Sequence, residues 1–153
     1  MTKTTINGIE FNTDTIIEIG KFTILWNIFE NNKCNCNCDT DKLIQLVSDI
    51  SSNEYWQNLA RILQKRKGLR GYDVDEYVDY GLSLGRGLSP IEKENVKNFM
   101  LSDGQECLAG GLLAIYRIRN NMFHGLKDWI ELERQKELFA KLNEFLTYAI
   151  RNL

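Results

Sequence analysis

The chain has 153 residues, of which 43% are hydrophobic and 26% are charged, and its formal net charge is −2. This length suffices for one domain with a buried core, and the composition is that of an ordinary globular protein. The nearly balanced charge excludes a protein that coats nucleic acid through bulk electrostatics, but it is compatible with an enzyme that has a local basic cleft.

The N-terminal stretch MTKTTINGIEFNTD contains no basic segment followed by an apolar run, so we expect no secretory signal. The longest nearly apolar run, LAGGLLAIY at 108–116, is too short to cross a membrane. These features predict a cytoplasmic protein without membrane association.

Helical periodicity begins with TDTIIEIGKFTILWNIFENN, which we expect to be capped by Thr13 or Asp14. A short helix follows at about 42–50, and a third helix begins at serine and asparagine caps and ends at Gly68. The apolar face of the first helix recurs at three- and four-residue steps: Ile19, Phe22, Trp26 and Phe29.

Three of the four cysteines lie in the segment CNCNC at 34–38, and the fourth is Cys107. Alternating cysteines differ from the paired C-x2-C spacing of a zinc ribbon, and no histidine lies near them in sequence. The segment predicts a polar loop between helices with reduced thiols, and a metal or redox role is the alternative. We therefore expect neither a metal site nor a cofactor.

The middle of the chain, 68–88, holds five glycines and little periodicity, which predicts a long loop with a short helix around Asp75 to Tyr80. The sequence Ser89-Pro90-Ile91-Glu92 then predicts a helix start, with serine as N-cap, proline at the first helical position and glutamate at the third.

Two further helices complete the pattern. One is expected to run from Ser102 or Asp103 to the C-terminal glycine Gly125. The last is expected to begin at the cap Asp128 and to bury Leu132 together with a run of later apolar residues, Phe139, Leu142, Leu146 and Ala149. With no repeat, linker or convincing strand, the chain (1–153) is predicted to be one all-α domain, a bundle of four to five main helices.

The segment RIRNNMFHG at 117–125 contains the only histidine of the chain, His124. At 100° per residue, Arg119 falls within an apolar stripe, where a charged group needs a partner. The other polar residues share the face of His124: Arg117, Asn120 and Asn121. The stripe itself comprises Leu108, Leu112, Ile115 and Met122.

This set of residue types is suited to RNA cleavage without a metal. A histidine transfers protons near neutral pH, and an arginine offers a planar fork to phosphate oxygens. A single histidine supplies only one acid or base, so two chains meeting in a dimer would supply both. The structural alternative is a helix-end histidine that favours the helix dipole, with Arg119 paired to a carboxylate such as Glu30.

The same residues resemble the R-x4-6-H motif of the HEPN superfamily (higher eukaryotes and prokaryotes nucleotide-binding), in which a polar residue follows the arginine. Here Asn120 follows Arg119, and RNNMFHG reproduces the pattern. The resemblance implies an all-α HEPN-like fold and a metal-independent endoribonuclease that acts as a homodimer on RNA. Many such proteins are toxins or phage-defence effectors, so an antitoxin or other regulatory partner is also implied.

By resemblance, Arg119 and His124 are catalytic and Asn120 is auxiliary. Arg117 also satisfies the spacing, as R-x6-H, but Ile118 rather than a polar residue follows it. One toxin branch has a tyrosine two residues after the histidine for modification by its antitoxin, and Leu126 occupies that position here.

Further RNA contacts are expected from two groups of residues. A basic cluster precedes the glycine-rich loop and is suited to guiding an RNA backbone: Lys65, Arg66, Lys67 and Arg70. Near the motif, the expected contacts are Arg117, Asn121 and Lys127. Two other interpretations stay open: a catalytically silent HEPN-like module that binds nucleotide or RNA or scaffolds an assembly, and an unrelated helical interaction protein that carries the motif by chance.

Overall fold

The structure is a computed structural model that describes residues 2–82, 87–123 and 134–153, and of Phe123 only the backbone. Most of these residues are helical, which confirms the mostly-α fold predicted from the sequence. The elements are β1 (Lys3–Ile6), β2 (Ile9–Asn12), α1 (Thr13–Lys33), α2 (Thr40–Leu46), α3 (Glu54–Leu69), α4 (Val74–Glu76), a π-helical turn (Tyr77–Gly81), α5 (Pro90–Leu101), α6 (Leu108–Phe123) and α7 (Lys136–Asn152). Among the described helices, none combines the length and apolar character needed to cross a membrane.

A small antiparallel hairpin precedes the bundle, so the prediction that the chain lacks strands was wrong. β1 and β2 pair from Lys3 opposite Asn12 to Ile6 opposite Ile9. The turn is Asn7-Gly8, with φ of 51° and 79°, the left-handed pair that a two-residue hairpin turn requires. Strands of four residues are too short to show a clear alternation of apolar and polar residues. The Asn-Gly dipeptide, however, is a sequence signal for a hairpin turn.

The hairpin leads directly into α1, whose N-cap is Asn12 rather than Thr13 or Asp14. The Asn12 side-chain oxygen accepts hydrogen bonds from the backbone N–H groups of Asp14 (2.9 Å) and Thr15 (3.4 Å). Asn12 still has extended backbone geometry, as an N-cap requires, because it is the last residue of β2.

The loop between α1 and α2 is tied by a disulfide between Cys34 and Cys38. Both half-cystines are buried, at 1% and 2% exposure, whereas Cys36 is exposed and free. The predicted loop is confirmed, but the prediction of reduced thiols was wrong for this pair. The i, i+4 spacing lets a short turn fold back on itself, so that the outer cysteines face the core and the middle one faces solvent.

The predicted start of α5 is confirmed, because the Ser89 hydroxyl accepts a hydrogen bond from the Glu92 N–H at 3.2 Å. In a complete capping box the Glu92 carboxylate would also accept from the Ser89 N–H. Here the carboxylate instead lies 3.5 Å from Nε of Arg117 on α6. The short helix predicted near Asp75 is also present as α4, which opens with a complete capping box between Asp73 and Glu76.

The predicted start of α6 was wrong, since the helix begins at Leu108 rather than at Ser102 or Asp103. Asp103, Gly104 and Cys107 all have positive φ, which is incompatible with a continuous helix. A Cβ at Gly104 would lie 2.6 Å from the carbonyl oxygen of Trp56, so this turn packs tightly on α3. The predicted helix end at Gly125, the cap Asp128 and the apolar Leu132 lie outside the described residues.

Packing of α7 against its neighbours fixes the directions of three helices. It runs parallel to α1, because Lys136 bridges Asp14 at 3.5 Å at one end and Lys33 donates to the Leu153 carbonyl at the other. It runs antiparallel to α3, because Lys65 near the end of α3 bridges Glu137 at 2.7 Å. The apolar residues predicted for the inner face of α7 are buried, namely Phe139, Leu142, Leu146 and Ala149.

Candidate functional site at the end of α6

The end of α6 that carries Arg119 lies at the same end of the bundle as the π-helical turn, the last turn of α3 and the first turns of α7 and α1, and we call this region the motif end of the bundle. Asn121 on α6 donates to the carbonyl of Leu82, just after the π-helical turn. Arg66 in the last turn of α3 lies over the ring of Tyr77, the first residue of that turn. The bridges from Lys65 to Glu137 and from Lys136 to Asp14 bring the first turns of α7 and α1 to the same end.

α6 is the central helix, and this changes the face assignments made from its periodicity. The predicted stripe is buried at Leu108, Leu112 and Ile115, but Ile118 and Asn121 are buried as well, at 0% and 2% exposure. Because α6 packs on α5 on one side and contacts α2 and α3 on others, its polar side is also enclosed. The single-stripe interpretation therefore underestimated how much of the helix is buried.

Arg117 is held inside the protein by two partners from the segment before and at the start of α5. Its Nε lies 3.5 Å from a Glu92 carboxylate oxygen, and its Nη2 donates to the Gly87 carbonyl at 3.1 Å. The side chains of Arg117 and Glu92 are only 9% and 11% exposed. Arg117 therefore joins α6 to α5 and is not presented to a ligand at the surface.

Asn121 has a similar structural position. It is 2% exposed, and its side-chain amide donates to the Leu82 carbonyl at 3.3 Å. This contact ties the end of the π-helical turn to α6. Neither Glu92 nor Leu82 was recognised from the sequence as a partner of the motif, because pairing between distant segments leaves no periodic signal.

Arg119 and Asn120 lie beside each other near the C-terminal end of α6, and both are partly exposed. The Arg119 Nη1 donates to the Asn120 side-chain oxygen at 3.1 Å. The predicted alternative partner, Glu30, is used elsewhere, because its carboxylate accepts a hydrogen bond from the Cys38 N–H at 3.1 Å. Of the two motif arginines, Arg119 is the one that reaches the protein surface.

His124 follows the last residue of α6 directly in the sequence, and it lies outside the described residues, as do Leu126 and Lys127. The described part of the candidate site therefore consists of Arg119, Asn120 and the neighbouring elements of the motif end.

The predicted basic cluster at the end of α3 does not form one continuous surface. Lys65 is exposed and bridges Glu137, with Nζ 2.7 and 2.8 Å from the two carboxylate oxygens. Lys67 is partly exposed, whereas Arg66 is 6% exposed. The three side chains thus leave α3 in different directions, as expected for consecutive residues on a helix.

Arg66 and Tyr77 form a buried polar pair that the sequence did not predict. The Arg66 guanidinium carbon lies 6.0 Å from the centre of the Tyr77 ring. Among the described residues, the three guanidinium nitrogens and the Tyr77 hydroxyl make no hydrogen bond. Burial raises the pKa of the Tyr77 hydroxyl, and the charges of Arg66 and Arg70 partly oppose this rise.

Two further observations bear on the chemistry of the chain. Across the described ranges, no group of three or more His, Cys, Asp or Glu side chains is arranged to hold a metal ion. The chain matches no protein-family model, no curated protein and no solved structure.

Proposed function

We propose that the chain is a metal-independent endoribonuclease of the HEPN type, which acts as a dimer with Arg119, Asn120 and His124 in its active site. The observation that carries the proposal is the different environment of the two motif arginines. Arg117 is buried against Glu92 and Gly87, whereas Arg119 is partly exposed beside Asn120 at the helix end that leads into His124.

The chemistry follows from these groups. The ribose 2′-oxygen attacks the adjacent phosphorus, the bond to the 5′-oxygen breaks, and the products are a 2′,3′-cyclic phosphate and a 5′-hydroxyl. His124 takes the 2′-OH proton or gives a proton to the leaving 5′-oxygen, and a second His124 from the other chain performs the complementary transfer. Arg119 stabilises the charge that develops on the phosphate oxygens, and Asn120 orients its guanidinium.

A toxin or phage-defence role for this activity is part of the proposal, as is a regulatory partner such as an antitoxin. Such a role predicts that expression of the wild-type chain arrests bacterial growth, whereas expression of His124→Ala does not. RNA extracted from the arrested cells would then carry new 5′-hydroxyl ends.

The direct test is cleavage of RNA in EDTA by the purified chain and by single variants. We expect His124→Ala and Arg119→Ala each to reduce the rate by at least about 100-fold, the usual effect of losing an acid–base or charge-stabilising group. Arg61→Ala is a matched control, because Arg61 is an exposed arginine on α3 that pairs at 3.9 Å with Asp103. Wild-type rates in both motif variants would refute the assignment.

The second candidate is a catalytically silent helical module that binds RNA or nucleotide or scaffolds an assembly. The observation that favours this candidate is that two exposed lysines at the motif end already pair with carboxylates of the protein. Lys65 pairs with Glu137, and Lys136 pairs with Asp14. This candidate predicts RNA binding, or none, without any cleavage by the wild-type chain. The EDTA assay combined with a binding titration therefore separates the two functions.

A further inference from the structure

Two tyrosines at the motif end lie next to each other at the protein surface. Tyr80, on the π-helical turn, is 62% exposed, and the centre of its ring lies 6.5 Å from that of Tyr72, which is partly exposed. Arg70 extends the pair, since its guanidinium carbon lies 5.4 Å from the centre of the Tyr72 ring. We call the surface formed by Arg70, Tyr72 and Tyr80 the tyrosine platform.

The backbone on both sides holds the tyrosine platform in place. α3 ends in a Schellman motif, in which the Tyr72 N–H donates to the Lys67 carbonyl at 3.1 Å and Gly71 has the required positive φ, at 74°. On the other side, the Leu82 N–H closes the π-helical turn that carries Tyr80, with a hydrogen bond of 2.9 Å. The backbone of the platform is therefore preformed, which lowers the entropic cost of binding a ligand there.

The acidic residues near the tyrosine platform all have partners within the protein. They are Asp73, Asp75, Glu76 and Asp79. The Nζ atoms of two lysines on α5 lie 2.8 Å from a carboxylate oxygen of Asp75 and 2.9 Å from one of Asp79. The other two carboxylates, those of Asp73 and Glu76, accept each other's backbone N–H groups in the capping box of α4. The negative charge of this segment is therefore largely engaged inside the fold.

Three cations at the end of α3 have no such partner. Among the described residues, no carboxylate oxygen lies within ion-pair distance of Arg66, Lys67 or Arg70. Arg66 is buried, whereas Lys67 and Arg70 are partly exposed and lie about one helical turn apart, on the same side of α3. Accessible cations beside exposed aromatic rings are the two features that proteins combine to bind single-stranded nucleic acid.

A short path joins the tyrosine platform to Arg119. Asn121, two residues after Arg119, donates to the carbonyl of Leu82, two residues after Tyr80. With about 3.8 Å between consecutive Cα atoms, this path places the Cα atoms of Tyr80 and Arg119 within about 25 Å of each other. A few nucleotides of an extended RNA strand span this distance, so the platform and Arg119 can contact the same strand.

We propose that the tyrosine platform, together with Lys67, is a nucleobase-stacking subsite that binds unpaired nucleotides of the RNA beside the scissile phosphate. The rings of Tyr80 and Tyr72 stack on the bases, and Arg70 and Lys67 contact the phosphates between them. The inference rests on the proposed function, which supplies RNA as the ligand. It adds a preference for single-stranded over double-stranded RNA, because the bases of a duplex are already stacked on one another.

The test is RNA binding by the full chain in a His124→Ala background, which removes cleavage from the measurement. The probe is a fluorescein-labelled single-stranded oligoadenylate of about 12 nucleotides in EDTA, and fluorescence anisotropy gives the Kd. We expect Tyr80→Ala to weaken binding about 10-fold or more, the usual effect of losing one stacking contact, and Tyr80→Phe to bind as tightly as the parent chain. Arg70→Gln is expected to reduce the magnitude of the slope of log Kd against log salt concentration by about one.

Tyr55→Ala is the matched control, because Tyr55 is a 40% exposed tyrosine in the first turn of α3, at the opposite end of that helix, where its ring stacks on Tyr148. It is expected to leave the Kd unchanged, and circular dichroism verifies that the variants are folded. Parent affinity in Tyr80→Ala, equal affinity for an oligoadenylate–oligouridylate duplex of the same length, or no RNA binding by the parent chain would each overturn the subsite. Because binding is measured without cleavage, weaker binding by Tyr80→Ala supports the subsite even if the wild-type chain cleaves no RNA.

Discussion

At the scale of single residues, the two motif arginines differ in how far they are accessible at the protein surface. Sequence spacing permitted both Arg117 and Arg119, and helical periodicity placed Arg117 on the face of His124. The structure engages Arg117 with Glu92 and Gly87 and leaves Arg119 partly exposed. The polar residue that follows Arg119 also has a physical use, because Asn120 holds the guanidinium.

The buried pair of Arg117 and Glu92 yields a prediction about stability. Arg117→Met leaves the Glu92 carboxylate without its countercharge, and we expect a loss of about 3 kcal/mol of unfolding free energy, measured by urea denaturation. The double variant Arg117→Met/Glu92→Gln removes the stranded charge and is expected to recover much of this loss. Equal losses in the single and double variants would contradict the role of Arg117 as the partner of Glu92.

At the scale of elements, α6 depends on a close contact with α5. A Cβ at Gly110 would lie 2.0 Å from the Asn95 carbonyl oxygen, so any side chain there forces the two helices apart. We expect Gly110→Ala to lower the unfolding free energy by about 2 kcal/mol or more. Gly68→Ala is the control, since a Cβ there meets nothing within 4 Å, and it is expected to be neutral or stabilising because alanine is the better helix former.

The loop between α1 and α2 gives a second prediction at this scale. If Cys34 and Cys38 are linked, the denatured but unreduced chain exposes two reactive thiols, Cys36 and Cys107, and reduction raises the number to four. Titration with a chromogenic disulfide reagent measures this directly. We expect Cys34→Ala/Cys38→Ala to cost about 2 kcal/mol, the value for closing so short a loop. Four reactive thiols before reduction would show that the link is absent.

These elements also show what the sequence allows one to predict. Helices with local signals were found, because a cap such as Ser89 and a stripe such as Phe139 to Ala149 are encoded within a few neighbouring residues. The hairpin at Asn7-Gly8, the delayed start of α6 and the Cys34–Cys38 link were missed. The last two depend on tertiary packing, which places Gly104 against α3 and buries both half-cystines. In the site, the order of Arg119, Asn120 and His124 was readable, whereas the engagement of Arg117 by Glu92 depends on a contact between α5 and α6.

At the scale of the whole molecule, the proposed mechanism requires two chains, because each contributes one histidine. Arg119→Ala and His124→Ala homodimers should both be inactive, since every site lacks one essential group. A mixed dimer of one wild-type and one His124→Ala chain keeps both Arg119 side chains but has a single His124, so either the acid or the base is missing. We therefore expect such a mixed dimer to be inactive.

Co-expression of the wild-type and His124→Ala chains with different affinity tags tests this requirement. With random assortment, a quarter of the dimers are wild type and half are mixed, so we expect the unfractionated mixture to keep about a quarter of wild-type activity. Dimers purified through both tags, which contain a single His124, should be inactive. Mixed dimers that are isolated intact and keep half of the wild-type activity would show that each chain carries a complete site of its own.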